Sequence, residues 1–169
     1  MPLTALVVSD SHGRADLLLR AFERARPDVV LFLGDGQRDL NVIPDEVTLR
    51  AVRGNCDWSN ALEAPLVRVE QIGGYRIYMT HGHVQGVKHS LDSAIANAAA
   101  AEADVLLYGH THIPLEKTCP QGTKCAGTVL KKPLLVVCPG SVGEPPDGIP
   151  SFATLTLAPA GVLAGFGKL

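Results

Sequence analysis

Residues 3–12, LTALVVSDSH, and residues 29–35, VVLFLGD, each run from an apolar stretch straight into a carboxylate. Both apolar stretches have the length of a strand, and we predict strands at Leu3–Ser9 and Val29–Leu33. Between them we predict a helix over Arg14–Arg26, because its apolar residues share one face and Pro27 ends it. Strand, helix and strand in this order predict a βαβ unit with parallel strands and a right-handed crossover.

The remainder of the chain contains further apolar stretches of strand length and one more helical pattern. A second helix is predicted over Val87–Ala103, and Gly73-Gly74 predicts a hairpin turn. Gly148–Gly167 is uncharged, but its prolines and glycines predict two strands around a turn rather than a membrane span. The other predicted strands are Leu49–Arg53, Leu66–Ile72, Arg76–Thr80, Val105–Tyr108, Leu134–Val137 and Phe152–Leu157. The pattern predicts an α/β fold with a large antiparallel share.

Length and composition indicate one globular domain over residues 1–169. The 169 residues are 46% hydrophobic and 19% charged, which suits a packed core and excludes a disordered chain. A net charge of −2 gives no strong indication of nucleic acid or an anionic membrane as partner. The N-terminal residues lack the pattern of a signal peptide, so we expect a cytoplasmic protein whose four cysteines are reduced thiols.

Cys119 and Cys125 leave a second interpretation open. They flank a Pro-Gln-Gly-Thr turn and could form half of a zinc site, but no second pair follows.

Five predicted strands end in a carboxylate, an amide or an imidazole, usually beside a glycine. The carboxyl ends of strands in open α/β sheets are where ligands bind, so we expect these side chains to meet in one crevice. The residues are Asp10 and His12, Asp35, Asn55 with Cys56 and Asp57, His81 and His83, and His110 and His112.

This set of side chains predicts a metal centre. Carboxylates, an amide and imidazoles together suit borderline divalent transition metals, whereas oxygen alone suits magnesium or calcium. The spacing of Asp10 and His12, and of His110 and His112, puts both members of each pair on one side of an extended segment. Two carboxylates, one amide and four imidazoles make seven ligands. Seven are too many for one tetrahedral ion and suit two ions that share a carboxylate.

The ordered motifs resemble those of the calcineurin-like metallophosphoesterases. The order is Asp-x-His, Gly-Asp, Gly-Asn-x-Asp, His-Gly-His and Gly-His-x-His, and the Gly-Asn-Cys-Asp variant is similar to the small prokaryotic YfcE-type phosphodiesterases. Pro139–Gly143 resembles that group's Asn-Pro-Gly-Ser-Val segment. The resemblance implies a four-layer αββα sandwich of two mixed β-sheets flanked by helices.

It also implies a dinuclear site, with manganese as the usual metal and zinc, iron or nickel as alternatives. By resemblance, one ion is held by Asp10, His12 and His112, the other by Asn55, His81 and His110, with Asp35 bridging. The implied reaction is hydrolysis of a small phosphoester, most simply a phosphodiester, by a water or hydroxide that bridges the ions. The alternatives are a phosphomonoesterase or nucleotide hydrolase, and a non-catalytic interaction scaffold of the same fold. Small relatives often form homo-oligomers.

The catalytic residues implied beside the metals are Asn55, Asp35, His83, Cys56 and Asp57. His83 is expected either to face the phosphate or to orient a ligand. Asp57 is expected to orient His81, to hold its loop, or to cap the next segment. Trp58 is expected to form a wall for a base or an aromatic leaving group, or to pack in the core.

The chain departs from the family pattern at three places. Cys56 stands where many relatives carry a histidine that protonates the leaving group, and a thiol is the poorer acid near neutral pH. Cys138 replaces an asparagine before Pro139, and no arginine follows Pro146 to clamp the phosphate. The substitution at Cys56 predicts a preference for substrates with good leaving groups. Specificity is expected in loops 36–48, 58–65, 84–89 and 113–133.

Overall fold

A computed structural model describes all residues, 1–169. It contains two five-stranded sheets, a small hairpin, two α-helices and a 3-10 helix. In chain order the elements are β1 Leu3–Val8, α1 Ala15–Ala25, β2 Val29–Phe32, the 3-10 helix Gln37–Val42, β3 Thr48–Ala51, β4 Val67–Ile72, β5 Tyr75–Thr80, α2 Asp92–Ala100, β6 Val105–Tyr108, β7 Pro114–Cys119, β8 Lys124–Cys125, β9 Thr128–Val129, β10 Leu134–Pro139, β11 Ser151–Ala158 and β12 Gly161–Lys168.

The first sheet has both faces covered, and β1 shows why its sequence is apolar throughout. Its order is β12-β11-β1-β2-β3. Successive side chains of a strand point to opposite faces. Ala5 and Val7 therefore join the core between the two sheets, whereas Leu6 and Val8 pack with Leu18 of α1. A strand buried on both sides needs a continuous apolar run rather than an alternating one.

The second sheet repeats this arrangement with α2 on its outer face. Its order is β4-β5-β6-β10-β7. Leu107 of β6 faces the first sheet, while Leu106 and Tyr108 pack with Ile95 and Ala98 of α2. The layers are thus helix, sheet, sheet and helix, and the predicted sandwich of two mixed sheets is confirmed.

Parallel pairing puts the motif-bearing strand ends at the same edges. Strands β1, β2 and β3 run parallel in the first sheet, and β5 and β6 run parallel in the second. β10 also runs parallel to β6, whereas β11 beside β1 and β4 beside β5 are antiparallel. All five strands that precede the predicted ligands therefore end where a crevice can form.

The second helix is shorter than predicted, because the segment before it is held in turns. The predicted bounds Val87–Ala103 are wrong: α2 spans Asp92–Ala100. Gly82 has a φ of 103° and lies against Val87, so the chain turns here instead of starting a helix. His89 consequently lies in the turn and not at the head of the helix. Neither helix is long and apolar enough to cross a membrane.

Residues 113–133, predicted as a loop, contain strands. β7 pairs with β10 along its whole length, and β8 and β9 form a two-stranded hairpin. Most of β7 is exposed, so its sequence lacks the apolar run that would have indicated a strand. The two predicted strands around the Pro-Ala-Gly turn are present as β11 and β12, which pair antiparallel.

All four cysteines are free thiols. Cys119, Cys125 and Cys138 are buried in the apolar layer between the second sheet and α2, whereas Cys56 is exposed. Burial is the main cause of the raised pKa of Cys125, and it raises the pKa of Cys138 to about 11. All three are therefore core side chains, and Cys125 and Cys138 stay protonated at neutral pH.

The core between the sheets should dominate the stability of the fold. Leu31 of β2 is fully buried there. We expect Leu31→Ala to lower the free energy of unfolding by about 2–5 kcal/mol, because the truncation leaves a cavity. Urea unfolding followed by circular dichroism measures this. The matched control is Leu163→Ala on β12, where the leucine is 74% exposed and the expected change is below about 0.5 kcal/mol. Equal losses in both variants would contradict this placement of the core.

Candidate metal centre

The loops after five strands bring the predicted ligands together in an unusual backbone conformation. Five of these residues have a positive φ, between 43° and 70°. They are Asp10, His12, Asp35, His110 and His112. Non-glycine residues seldom adopt this left-handed region, and such strain persists only where the surroundings hold it. The concentration of this backbone strain in one crevice marks a functional site.

Asp10 lies at the middle of the crevice and is fully buried. Its Oδ2 accepts hydrogen bonds from the Ser9 hydroxyl and from the backbone N–H of His110, 3.1 Å away. Its Oδ1 faces three imidazoles: the Nε2 atoms of His112, His12 and His81 lie 3.0, 3.5 and 3.8 Å away. Hydrogen bonds within the protein thus fix Oδ2 of Asp10, while Oδ1 faces the crevice.

Asp35 is arranged in the same way. Its Oδ1 accepts a hydrogen bond from the backbone N–H of Cys56 at 2.7 Å. Its Oδ2 lies 3.2 Å from Nε2 of His81 and 3.9 Å from Nε2 of His12. Asp35 therefore faces histidines from both sheets, as a shared carboxylate must.

Asp57 holds the loop that carries Asp35. Its two carboxylate oxygens accept four backbone hydrogen bonds of 2.8–3.1 Å from residues on both sides of the crevice floor. The donors are Asp35, Gly36, Gln37 and Gly54. Of the three roles expected for Asp57, these hydrogen bonds match that of holding its loop. Asp57 makes no hydrogen bond to His81.

Backbone carbonyl oxygens fix a proton on Nδ1 of His81 and of His112, so Nε2 is the atom that faces the crevice. The Nδ1 of His81 lies 2.7 Å from the carbonyl oxygen of Leu33, and that of His112 lies 2.8 Å from the carbonyl oxygen of Glu144. A carbonyl oxygen only accepts, so Nδ1 carries the proton in both rings. In the neutral rings each Nε2 then directs a lone pair at a carboxylate oxygen about 3 Å away.

Two lone pairs facing each other at this distance repel, so a cation must lie between them, and that cation is either a proton or a metal ion that replaces it. Burial lowers the pKa of His81, but hydrogen bonding to Asp35 outweighs it and raises that pKa, and hydrogen bonding to Asp10 raises the pKa of His112. The Nε2 atoms of His12 and His81 are buried and have no hydrogen-bond partner. Three groups of side chains have ligand atoms within 4.8 Å of one another: Asp10, His12 and His112; Asp35, His81 and His110; and, overlapping both, His12, Asp35 and Cys56. Mixed nitrogen and oxygen donors suit divalent transition metals.

The charge of the crevice agrees with cation binding. Burial alone would raise the pKa of Asp10, but hydrogen bonds to His112 and His12 outweigh it and lower that pKa. For Asp35, too, His81 outweighs burial and the pKa is lowered. Burial and the neighbouring His81 lower the pKa of His110 to about 4, so its imidazole is neutral at pH 7. The crevice therefore offers two ionised carboxylates.

The remaining predicted site residues lie at the margin of the crevice. Asn55 is exposed, and its amide donates to the Cys56 thiol at 3.4 Å. Cys56 has its sulfur within 4.8 Å of ligand atoms of both His12 and Asp35. The ring of His83 lies 5.4 Å from that of His81, and its Nδ1 is buried without a partner. The structure thus brings Cys56 and His83 up to the centre, and it leaves Asn55 facing solvent.

Sequence reasoning missed how Ser141–Glu144 supports the centre. The hydroxyl of Ser141 donates to the carbonyl oxygen of Asp10, and the backbone N–H of Gly143 donates to the same oxygen. The next residue, Glu144, supplies the carbonyl that fixes His112 and places its carboxylate 3.9 Å from His12. A Cβ on Gly143 would lie 2.0 Å from the carbonyl oxygen of Ser11. Gly143, the second glycine of the Pro-Gly-Ser-Val-Gly motif, was the sequence feature that could have indicated this close contact.

Comparison with known proteins identifies the family. Residues 3–159 match the family model described as the calcineurin-like phosphoesterase superfamily domain, so the chain belongs to that superfamily. It is 31% identical over 157 residues to the probable metallophosphoesterase YsnB of Bacillus subtilis, covering 92% of this chain and 85% of that protein. The resemblance noted in the motifs is confirmed.

Two further relatives extend the comparison. The chain is 27% identical over 173 residues to the phosphodiesterase YfcE of Escherichia coli, covering 86% of this chain and 83% of YfcE. A crystal structure of wild-type Vps29 from Entamoeba histolytica, complexed with Zn²⁺, superposes with a TM-score of 0.65 at 22% identity. It covers 98% of this chain and 99% of that one, and it shows that the two share a fold.

The floor of the crevice should tolerate no added side chain. A Cβ on Gly54 would lie 2.0 Å from Oδ1 of Asp35 and 2.5 Å from its backbone nitrogen. We expect Gly54→Ala to displace Asp35 and to weaken binding of divalent metal by about tenfold or more, measured by isothermal titration calorimetry with manganese.

The control is Gly165→Ala on β12, where the closest neighbour of the added Cβ is the Thr154 hydroxyl at 3.1 Å. This variant should bind manganese as the unaltered protein does. Unchanged metal affinity in folded Gly54→Ala would show that the position of Asp35 does not matter for binding.

Proposed function

We propose that this protein is a metal-dependent phosphodiesterase that hydrolyses a phosphoester bond at the crevice between its two sheets. The observation that carries the proposal is the pair of ligand groups built around Asp10 and Asp35, with histidine Nε2 atoms aimed at both carboxylates. Two adjacent groups of this kind fit two divalent ions, and such centres clamp the attacking and leaving oxygens of phosphoester hydrolysis.

Each ligand has a place in this proposal. Asp10, His12 and His112 would hold one ion, and Asn55, His81 and His110 the other, with Asp35 shared. Asn55 would have to turn its amide oxygen from Cys56 into the crevice. Manganese, zinc, iron(II) and nickel all suit the donor set.

The bound ions would supply the activated water and neutralise charge on the phosphoryl group. A water held there would form a bond to phosphorus as the bond to the leaving oxygen breaks. Its proton would pass to solvent, and the leaving oxygen would depart as an alkoxide or phenoxide unless it receives a proton. The protein's own part is to hold the ligands: Asp57 fixes the Asp35 loop, and the carbonyls of Leu33 and Glu144 fix two imidazoles.

Cys56 and His83 are the groups placed to act on the substrate itself. Burial and the charge of Asp35 raise the pKa of the Cys56 thiol, so it gives up its proton poorly at neutral pH. Burial and the neighbouring His81 lower the pKa of His83, so its neutral ring can hydrogen-bond a phosphoryl oxygen. We therefore propose that the enzyme favours substrates whose leaving group needs no protonation.

The relatives support a phosphodiesterase in particular. YfcE is named a phosphodiesterase and YsnB a probable metallophosphoesterase. The Vps29 structure was solved with zinc, which supports zinc as an alternative to manganese.

The likeness to Vps29 also supports a second candidate, a protein-interaction scaffold. Shared fold does not decide function. The full set of ligand side chains favours the enzyme, because a scaffold has no need of strained ligand loops and two ionised carboxylates facing imidazole nitrogens.

Hydrolysis of bis-p-nitrophenyl phosphate by metal-stripped protein, with and without manganese, tests the proposal. We expect turnover only with metal, and a loss of roughly a hundredfold or more in His81→Ala and Asn55→Ala, because metal ions contribute several kcal/mol to such reactions. The monoester p-nitrophenyl phosphate should react more slowly than the diester.

His89→Ala is the matched control, since His89 is exposed and lies in the turn before α2. Circular dichroism of each variant separates loss of activity from loss of fold. No turnover with manganese, zinc, iron(II) or nickel, from folded protein that still binds two ions, would leave the scaffold as the better explanation.

A further inference from the structure

A cavity of about 350 Å³ opens directly beside the metal centre. His12, Asp35 and Cys56 form its inner end, and Arg38 and Trp58 line it further out. The 3-10 helix supplies Arg38, and the loop after β3 supplies Trp58. A substrate whose phosphoryl group lies at the centre would extend along this cavity.

Trp58 is far more exposed than a tryptophan with a purely structural role. Its side chain is 85% exposed, so the expectation that it packs in the core is wrong. Its backbone is nevertheless fixed. The carboxylate of the preceding residue, Asp57, accepts four hydrogen bonds from backbone N–H groups. The backbone carbonyl oxygen of Asp57 accepts one more from the side chain of Arg53. The indole is thus a large apolar surface held at the mouth of the cavity.

Arg38 is the charged group of the cavity that has no partner within the chain. Its guanidinium makes no hydrogen bond or ion pair, whereas the carboxylates around it are already engaged. Asp39 accepts from the Ser11 hydroxyl and from the backbone N–H of Gly13, and Asp57 accepts its four backbone bonds. A free guanidinium and an exposed indole that line the same cavity suit a ligand that is both flat and anionic.

We infer that Trp58 and Arg38 form a subsite for the nucleoside part of a phosphodiester substrate, the base stacking on the indole and the guanidinium pairing with phosphate oxygens. The inference rests on the proposed phosphodiesterase activity and names the substrate class of that site. Stacking on an aromatic side chain accepts any base, because every base has a π-face. Arg38 also supplies the cation that the sequence lacks after Pro146.

Trp58 is the only tryptophan of the chain, so its fluorescence reports directly on this subsite. Adenosine 5′-monophosphate added to the zinc-loaded protein should quench the emission with saturation, whereas ribose 5-phosphate, with the same phosphate but no base, should not. Arg38→Gln should raise the Kd for the nucleotide about tenfold, and Arg38→Lys should restore part of the loss. Arg20→Gln, an exposed arginine on α1, is the control.

Two chromogenic esters with the same leaving group test the subsite during turnover. Thymidine 5′-(p-nitrophenyl phosphate) carries the nucleoside, and ethyl p-nitrophenyl phosphate carries an alkyl group in its place. We expect the unaltered protein to favour the nucleoside ester in kcat/KM by about tenfold or more, and Trp58→Ala to abolish that preference. Trp58→Phe should keep most of it.

The outcomes separate the subsite from the activity. Hydrolysis of both esters at similar kcat/KM, or an unchanged preference in Trp58→Ala, would overturn the subsite and leave the phosphodiesterase standing. Hydrolysis of neither ester would count against the phosphodiesterase, and the fluorescence titration would still decide the subsite. Equal effects of adenosine 5′-monophosphate and ribose 5-phosphate on the emission would overturn the subsite.

Discussion

The structure depends on one electrostatic constraint, in which buried carboxylates face imidazole nitrogens and need a cation between them. Asp10 and Asp35 are buried and ionised, and the Nε2 atoms of His112 and His81 lie 3.0 and 3.2 Å from them. Because backbone carbonyls fix a proton on Nδ1 of both rings, each Nε2 meets its carboxylate either through a second proton or through a bound metal ion. Strained backbone at Asp10, His12, Asp35, His110 and His112 is held in place around the same point.

The two-sheet architecture is what allows this arrangement. Each sheet contributes carboxyl ends of parallel strands, so ligands from distant parts of the sequence meet without long loops. The first sheet supplies the carboxylates and the second supplies three of the histidines that face them. The core between the sheets therefore sets the distance between the two halves of the site. This makes the continuous apolar run of strands such as β1 a requirement of the chemistry as well as of stability.

Much of the fold and the ligand set could be predicted, because the information is local. An apolar run that ends in Asp-x-His or Gly-His-x-His identifies both a strand and the side chains at its end. The start of α2 could not be predicted, since it depends on how Gly82 packs against Val87 in the folded chain. β7 was not predicted for a related reason. Most of its residues are exposed, so it has no apolar pattern, and only its pairing with β10 makes it a strand.

The supporting residues were the hardest to predict. Asp57 holds a loop more than 15 residues earlier in the sequence through backbone N–H groups, which carry no sequence signature. Glu144 acts through its carbonyl oxygen, so its side chain gave no indication of the role. Trp58 was left between two interpretations, because sequence alone does not tell an exposed aromatic side chain from a buried one.

The central claim is that the crevice binds two divalent ions on either side of Asp35. Crystals of the protein grown with manganese, and measured for anomalous scattering at the manganese edge, test it most directly. We predict two anomalous peaks about 3.5–4 Å apart, one beside Asp10, His12 and His112 and one beside His81 and His110. A single peak, or ordered density without any metal in a crevice whose histidines keep these positions, would contradict the account.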